Sequence, residues 1–139
     1  KGMDIDGSFT KMELFEGVLE LFDLFCDKNC IVTDLTADIQ FKKLIQIKLI
    51  DKVKYIVTSE EAGKEKPNTI MFYTSHEKIG LDKFEVIYIG DDYEKDILGA
   101  TNLGIRAIWL NRQMNKKELN ANTIEVKDFK EIPEVIKKL

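Results

Sequence analysis

The chain of 139 residues is predicted to be an α/β protein, a Rossmann-like three-layer α/β/α unit around a parallel sheet. Three observations predict it. Short, almost wholly apolar runs (CIVT, KYIVT, FEVIYI, IRAIWL) recur between segments with helical spacing of apolar residues, the mark of βαβ units. Several of those runs end in a hydroxyl or a glycine followed by charged residues, as strands do when they end at a working sheet edge. The composition, 44% hydrophobic and 33% charged, is apolar enough for a core and polar enough to stay in water.

In order, Glu16–Lys28 carries Val18, Leu21, Phe22 and Phe25 at helical spacing, with Leu19, Leu24 and Cys26 widening the stripe. Asn29 breaks it, and Cys30–Thr33 follows as a buried parallel strand. Ala37–Ile50 is predicted helical and Lys54–Thr58 a strand. Pro67 opens a helix through Asn68–Ile79 that stops at Gly80. Phe84–Ile89 is the next strand, Gly90 its turn, and Tyr93–Leu103 a helix closed by Gly104. Ile105–Leu110 and Thr123–Val126 are further strands, and a helix covers Pro133–Leu139, with Phe129, Ile132, Val135, Ile136 and Leu139 available for packing.

The balance of 21 Lys plus Arg against 25 Asp plus Glu, a net charge of −4, gives no support to nucleic-acid binding. No apolar run approaches the roughly 18 residues of a membrane helix, and no secretory signal is visible, so the expected compartment is the cytoplasm. Cys26 and Cys30 with a single histidine, His76, make a poor zinc set, and the cysteines are expected to be small buried apolar groups. A disulfide is not expected, because Cys26 ends a helix and Cys30 begins a strand. His76 is expected at the surface and Trp109 in the core.

Polar residues gather at three strand ends. Thr33 follows CIV, Lys64 and Lys66 lie in the segment after KYIVT, and Asp91, Asp92 and Asp96 follow VIYI-Gly90. Two carboxylates converging after Gly90 repel unless a cation lies between them, and a hard divalent ion such as Mg²⁺ suits such oxygen ligands. The other reading is that Asp91 and Asp92 cap the next helix. Residue types alone leave both open. Thr33 satisfies a local backbone group or contacts a ligand. Lys66, at a helix start that prefers anions, answers a nearby phosphate or carboxylate or is simply solvated.

Together these residues resemble the haloacid dehalogenase-like hydrolase superfamily, especially its phosphatases, from about Leu14 to Arg112. IVTDLTADIQFKKL is similar to its second motif, with Thr33; GKEKPNTIMF to its third, with Lys66; and IGDDYEKDILGATNLGIRAIWL to its fourth, with Asp91 and Asp96. The resemblance implies a Mg²⁺-dependent phosphomonoester hydrolase acting on a small phosphorylated metabolite through an aspartyl-phosphate. Thr33 would hydrogen-bond the phosphoryl group, Lys66 would neutralise its charge, Asp91 would bind Mg²⁺, and Asp96 would bind or orient it. A phosphoacceptor signalling domain, which uses similar residues, would place its paired carboxylates after the first strand instead.

The family's first motif supplies an aspartate nucleophile and, two residues on, an aspartate acid/base. Asp4-Ile5-Asp6-Gly7-Ser8 has that pattern, but Lys1-Gly2-Met3 make no strand before it, and Ser8–Gly17 is too short for the usual helical cap. Two readings follow. Either residues 1–139 form a single capless core with Asp4 and Asp6 on a very short strand, or residues 1–14 are the remnant of a cap region. The second makes the chain a catalytically incomplete core, completed by self-association or by a partner segment in the sheet. It is the preferred expectation, and it predicts a weak or inactive phosphatase.

Overall fold

The structure, a computed structural model, describes residues 11–33, 52, 54–58 and 69–139. Helix α1 spans Lys11–Leu24 and leads to strand β1, Cys30–Thr33. Strand β2 is Tyr55–Thr58 and helix α2 is Thr69–Ile79. Strand β3, Ile87–Gly90, is followed by a π-helix, Tyr93–Leu98, which runs into a short helix α3, Gly99–Thr101. Strands β4 (Arg106–Leu110) and β5 (Thr123–Val126) follow, and a 3-10 turn (Phe129–Glu131) enters the last helix α4 (Ile132–Lys137).

All described strand pairs are parallel. β1 pairs with β2 from Cys30 opposite Tyr55 to Thr33 opposite Thr58. The other sheet has the order β3-β4-β5, with Gly90 opposite Trp109 and Leu110 opposite Val126. Side-chain alternation along β4 sorts the core into two layers. Ala107 and Trp109 pack with Phe72 of α2, Ile97 of the π-helix and Ala100 of α3. Ile108 and Leu110 point the other way, to Val126 and Ile132, backed by Leu21 of α1, Phe129 and Val135. Helices therefore cover both faces, and after the exposed Arg106 every residue of β4 is apolar and buried, as in a strand covered on both sides. The expected α/β/α layering is present.

Asn29 explains where α1 stops. Its amide donates to the carbonyls of Phe25 (2.8 Å) and Lys52 (2.9 Å), while its side-chain oxygen accepts from the Lys54 amide at 2.7 Å. One side chain thus ends the helical region and fastens the start of β1 to the start of β2. The helix begins earlier and ends earlier than Glu16–Lys28, so Cys26 lies in the following turn and is exposed rather than buried. Cys30 is half-buried, and neither cysteine is in a disulfide.

Three further expectations are corrected. Phe84 is outside the sheet and 73% exposed, because Asp82 and Glu85 hydrogen-bond across a turn that delays β3 to Ile87. Leu139 is exposed, beyond the end of α4, whereas Ile132 is buried and Val135 and Ile136 pack against its cluster. His76 is half-buried, its Nδ1 3.1 Å from the Leu81 carbonyl. The expected stops at Gly80 and Gly104 hold, with φ of 74° and 83°. The helix of the tail is entered through a capping box between Asp128 and Glu131. Among the described residues, no helix is long and apolar enough to cross a membrane. The predicted helix Ala37–Ile50 lies outside the described residues.

Ile108 is fully buried between sheet and helices. Ile108→Ala is expected to cost about 2–5 kcal/mol in urea denaturation, and Phe84→Ala less than about 0.5 kcal/mol.

Candidate active site

The turn after β3 divides three aspartates among three tasks. Asp92 is the cap of the π-helix: its carboxylate accepts from the Lys95 amide at 2.9 Å. Its carbonyl receives both the Asp96 amide (2.9 Å) and the Ile97 amide (3.3 Å). The second of these is the i+5 bond that widens the turn from α to π, a local change frequent at functional sites. The expected regular helix Tyr93–Leu103 is therefore a π-helix over its first half.

That widened turn sends Asp96 back over the strand end. Its side chain is buried, at 7% exposure, and its Oδ2 accepts from the Asp92 amide at 3.3 Å. The approach requires glycine at position 90. A Cβ there would lie 2.5 Å from both Cβ and Oδ2 of Asp96. Burying a carboxylate is costly unless donors or a cation compensate it.

Asp91 has neither duty. Its carboxylate is 67% exposed, with Oδ2 3.9 Å from Nη2 of Arg112. Its carbonyl accepts from Nε1 of Trp109 at 3.2 Å. Trp109 lies opposite Gly90 in the neighbouring strand, so core packing and the backbone of Asp91 are tied through one indole. The ring of Tyr93 faces Trp109 at 4.8 Å, and the Tyr93 hydroxyl donates to the Glu118 carbonyl at 3.1 Å. The loop after β4 is pinned at its base by Asn111, which bonds Asn115 and Glu125.

Of the two readings, the structure shows the cap and assigns it to Asp92 rather than Asp91. Asp92 caps, while Asp91 and Asp96 flank Gly90 without capping. Both offer hard oxygen atoms, and Mg²⁺ is commonly held by one or two carboxylates with retained waters, so these residues fit such an ion. Among the described residues, no group of three or more His, Cys, Asp and Glu side chains converges as a metal site. Thr33 is the last residue of β1, opposite Thr58, the last of β2. The side chain of Thr33, and Lys66, Asp4 and Asp6 altogether, lie outside the described residues. Trp109 and Arg112 are not among the site residues that the sequence predicts. The signal for Arg112 is its position just past the end of a strand, the same rule that singles out Thr33.

Gly90→Ala is expected to destabilise the fold by about 1–3 kcal/mol, the cost of overpacking. Combined with Asp96→Gly, which removes the clashing atoms, the loss in denaturant titration should be smaller than the sum of the two single losses.

Comparison with known proteins meets this geometry. Residues 4–110 match the family model for haloacid dehalogenase-like hydrolases, so the span includes Asp4–Ser8. Ribulose-1,5-bisphosphate 5-phosphatase of Halopiger xanaduensis is 40% identical over 78 residues, which are 56% of this chain and 33% of that protein. Glyceraldehyde 3-phosphate phosphatase of Methanopyrus kandleri is 32% identical over 113 residues, 78% of this chain and 48% of that one. The chain thus spans between a third and a half of the length of these relatives. Among solved structures, the magnesium-bound putative HAD-hydrolase YfnB of Bacillus subtilis superposes with a TM-score of 0.74 at 25% identity, covering 87% of this chain and 55% of that one. With its fold matched and the family model covering residues 4–110, the chain belongs to the haloacid dehalogenase-like hydrolase family.

Proposed function

We propose that this chain is the core of a Mg²⁺-dependent phosphatase that hydrolyses a small phosphorylated metabolite through an aspartyl-phosphate. The observation that carries the reading is the division of labour after β3: Asp92 takes the cap, leaving Asp91 and Asp96 to hold a cation. The relatives named above, phosphatases of ribulose-1,5-bisphosphate and glyceraldehyde 3-phosphate, support the substrate class. The magnesium bound to YfnB, a structural neighbour of this chain, supports the metal.

In this reading an aspartate carboxylate attacks phosphorus, the alcohol leaves with a proton from the acid/base aspartate, and water then cleaves the acyl phosphate. Asp4 and Asp6 are the candidates for that pair within this chain. The role of Thr33 is to donate a hydrogen bond to a phosphoryl oxygen, and that of Lys66 to balance charge on nucleophile and phosphoryl group. Bound Mg²⁺ would supply further positive charge to the transferring group.

The test is Mg²⁺ titration calorimetry together with a generic phosphomonoester assay. Asp91→Asn should weaken Mg²⁺ binding at least tenfold. Asp92→Asn should bind nearly as wild type, since asparagine caps a helix about as well as aspartate. Identical binding in wild type and the Asp91 variant would refute the site. In the assay, Mg²⁺-dependent turnover abolished by Asp4→Asn assigns the nucleophile to this chain. An inactive chain that still binds Mg²⁺ through Asp91 assigns the nucleophile to another segment or a partner chain.

A further inference from the structure

Arg112 stands out among the charged groups around the site. Its side chain is only 6% exposed, although it sits in the loop just past the end of β4. A guanidinium is expensive to bury and is kept buried by anionic or hydrogen-bonding neighbours. Its Nη2 lies 3.9 Å from Oδ2 of Asp91. The loop that carries it is held rigidly. The Asn111 amide donates to the Val126 carbonyl at 2.8 Å, and the Asn111 side chain accepts from the Asn115 amide at 3.0 Å. The Asn111 side chain also donates to the Asn115 carbonyl at 2.8 Å and to Glu125 Oε2 at 2.5 Å. Asn111 itself is 2% exposed. Arg112 is therefore presented to Asp91 from a fixed base.

The carboxylate it faces is otherwise loosely held. The Asp91 side chain is 67% exposed, and the hydrogen bond from Trp109 that anchors the residue goes to its backbone carbonyl. An exposed carboxylate anchored through its backbone samples several rotamers. A buried cation beside one oxygen selects among them and leaves the other oxygen for a ligand.

We infer that Arg112 is a positioning residue for the cation site. It holds Oδ2 of Asp91 by charge, so that Oδ1 is presented to Mg²⁺ in a single orientation. The inference rests on the metal reading of Asp91 given above. It runs against a simple charge argument, in which a nearby guanidinium repels a divalent cation and its removal tightens binding. Positioning prevails here because Mg²⁺ demands near-ideal geometry and because outer-shell partners of metal ligands commonly contribute about 10–100-fold in affinity.

The experiment is a double-variant cycle on the 139-residue chain, with Mg²⁺ affinity measured by calorimetry and folding checked by denaturant titration. Arg112→Met should weaken Mg²⁺ binding about tenfold or more. Arg112→Lys, which restores charge without the planar fork, should recover part of that loss and remains informative if the methionine variant folds poorly. In the Asp91→Asn background, either change at position 112 should alter Mg²⁺ affinity by less than about twofold, because Arg112 acts through Asp91. Unchanged or tighter binding in both folded Arg112 variants overturns the inference, as does an equal loss with and without the Asp91 carboxylate. If Asp91→Asn itself leaves Mg²⁺ binding unchanged, the metal reading falls and takes this role of Arg112 with it.

Discussion

The absence of a side chain at Gly90 lets the Asp96 carboxylate lie against the end of β3, where a Cβ would stand 2.5 Å from it. Much of the site follows from that contact. The carboxylate reaches the strand end because the π-helix has one residue more in its first turn than an α-helix would. The π-turn in turn depends on the Asp92 carbonyl accepting two amides while its carboxylate caps the third. With Asp92 so committed, Asp91 is the aspartate of the pair left facing outward. A single close approach thus distributes three neighbouring acidic residues among capping, buried and exposed roles.

The sheet supplies the rigidity that this arrangement needs. From Ala107 to Leu110, β4 is apolar on both faces and packs between helical layers beside β3, and Trp109 extends that packing to the Asp91 backbone through its indole N–H. A group that must be placed to within a fraction of an ångström is better carried by such an element than by a free loop. The loop after β4 adds to this. Tyr93 and Glu118, and Lys117 and Glu94, join it to the π-helix, so both walls of the turn are connected.

Much of this is readable from residue order. Cys30–Thr33 and Thr123–Val126 have the predicted bounds, and for Cys30–Thr33 the reason is an apolar run set off by polar residues on either side. The Asp91 and Asp96 positions stand out for the same reason, since polar residues directly after such a strand have few structural uses. The assignment of the cap to Asp92 is not readable. Both aspartates have the chemistry for it, and the difference arises from a backbone turn wider than residue propensities encode. Phe84 is misplaced by its sequence context because FEVIYI is apolar from its first residue, whereas the Asp82–Glu85 turn decides where the strand begins. Trp109 and Arg112 belong to another strand and the loop beyond it, and their proximity to Asp91 depends on the β3–β4 register.

The central claim is that Asp91 and Asp96 form one cation site at the end of β3. Paramagnetic broadening of the amide spectrum by substoichiometric Mn²⁺ tests it most directly, because the ion reports its own location. The account predicts selective broadening of the amides from Gly90 to Asp96 and of the Trp109 indole N–H, reversed by excess Mg²⁺. Broadening centred elsewhere, for example on Glu20, Asp23 and Glu134 at the α1–α4 surface, with the Gly90–Asp96 signals intact, would contradict it.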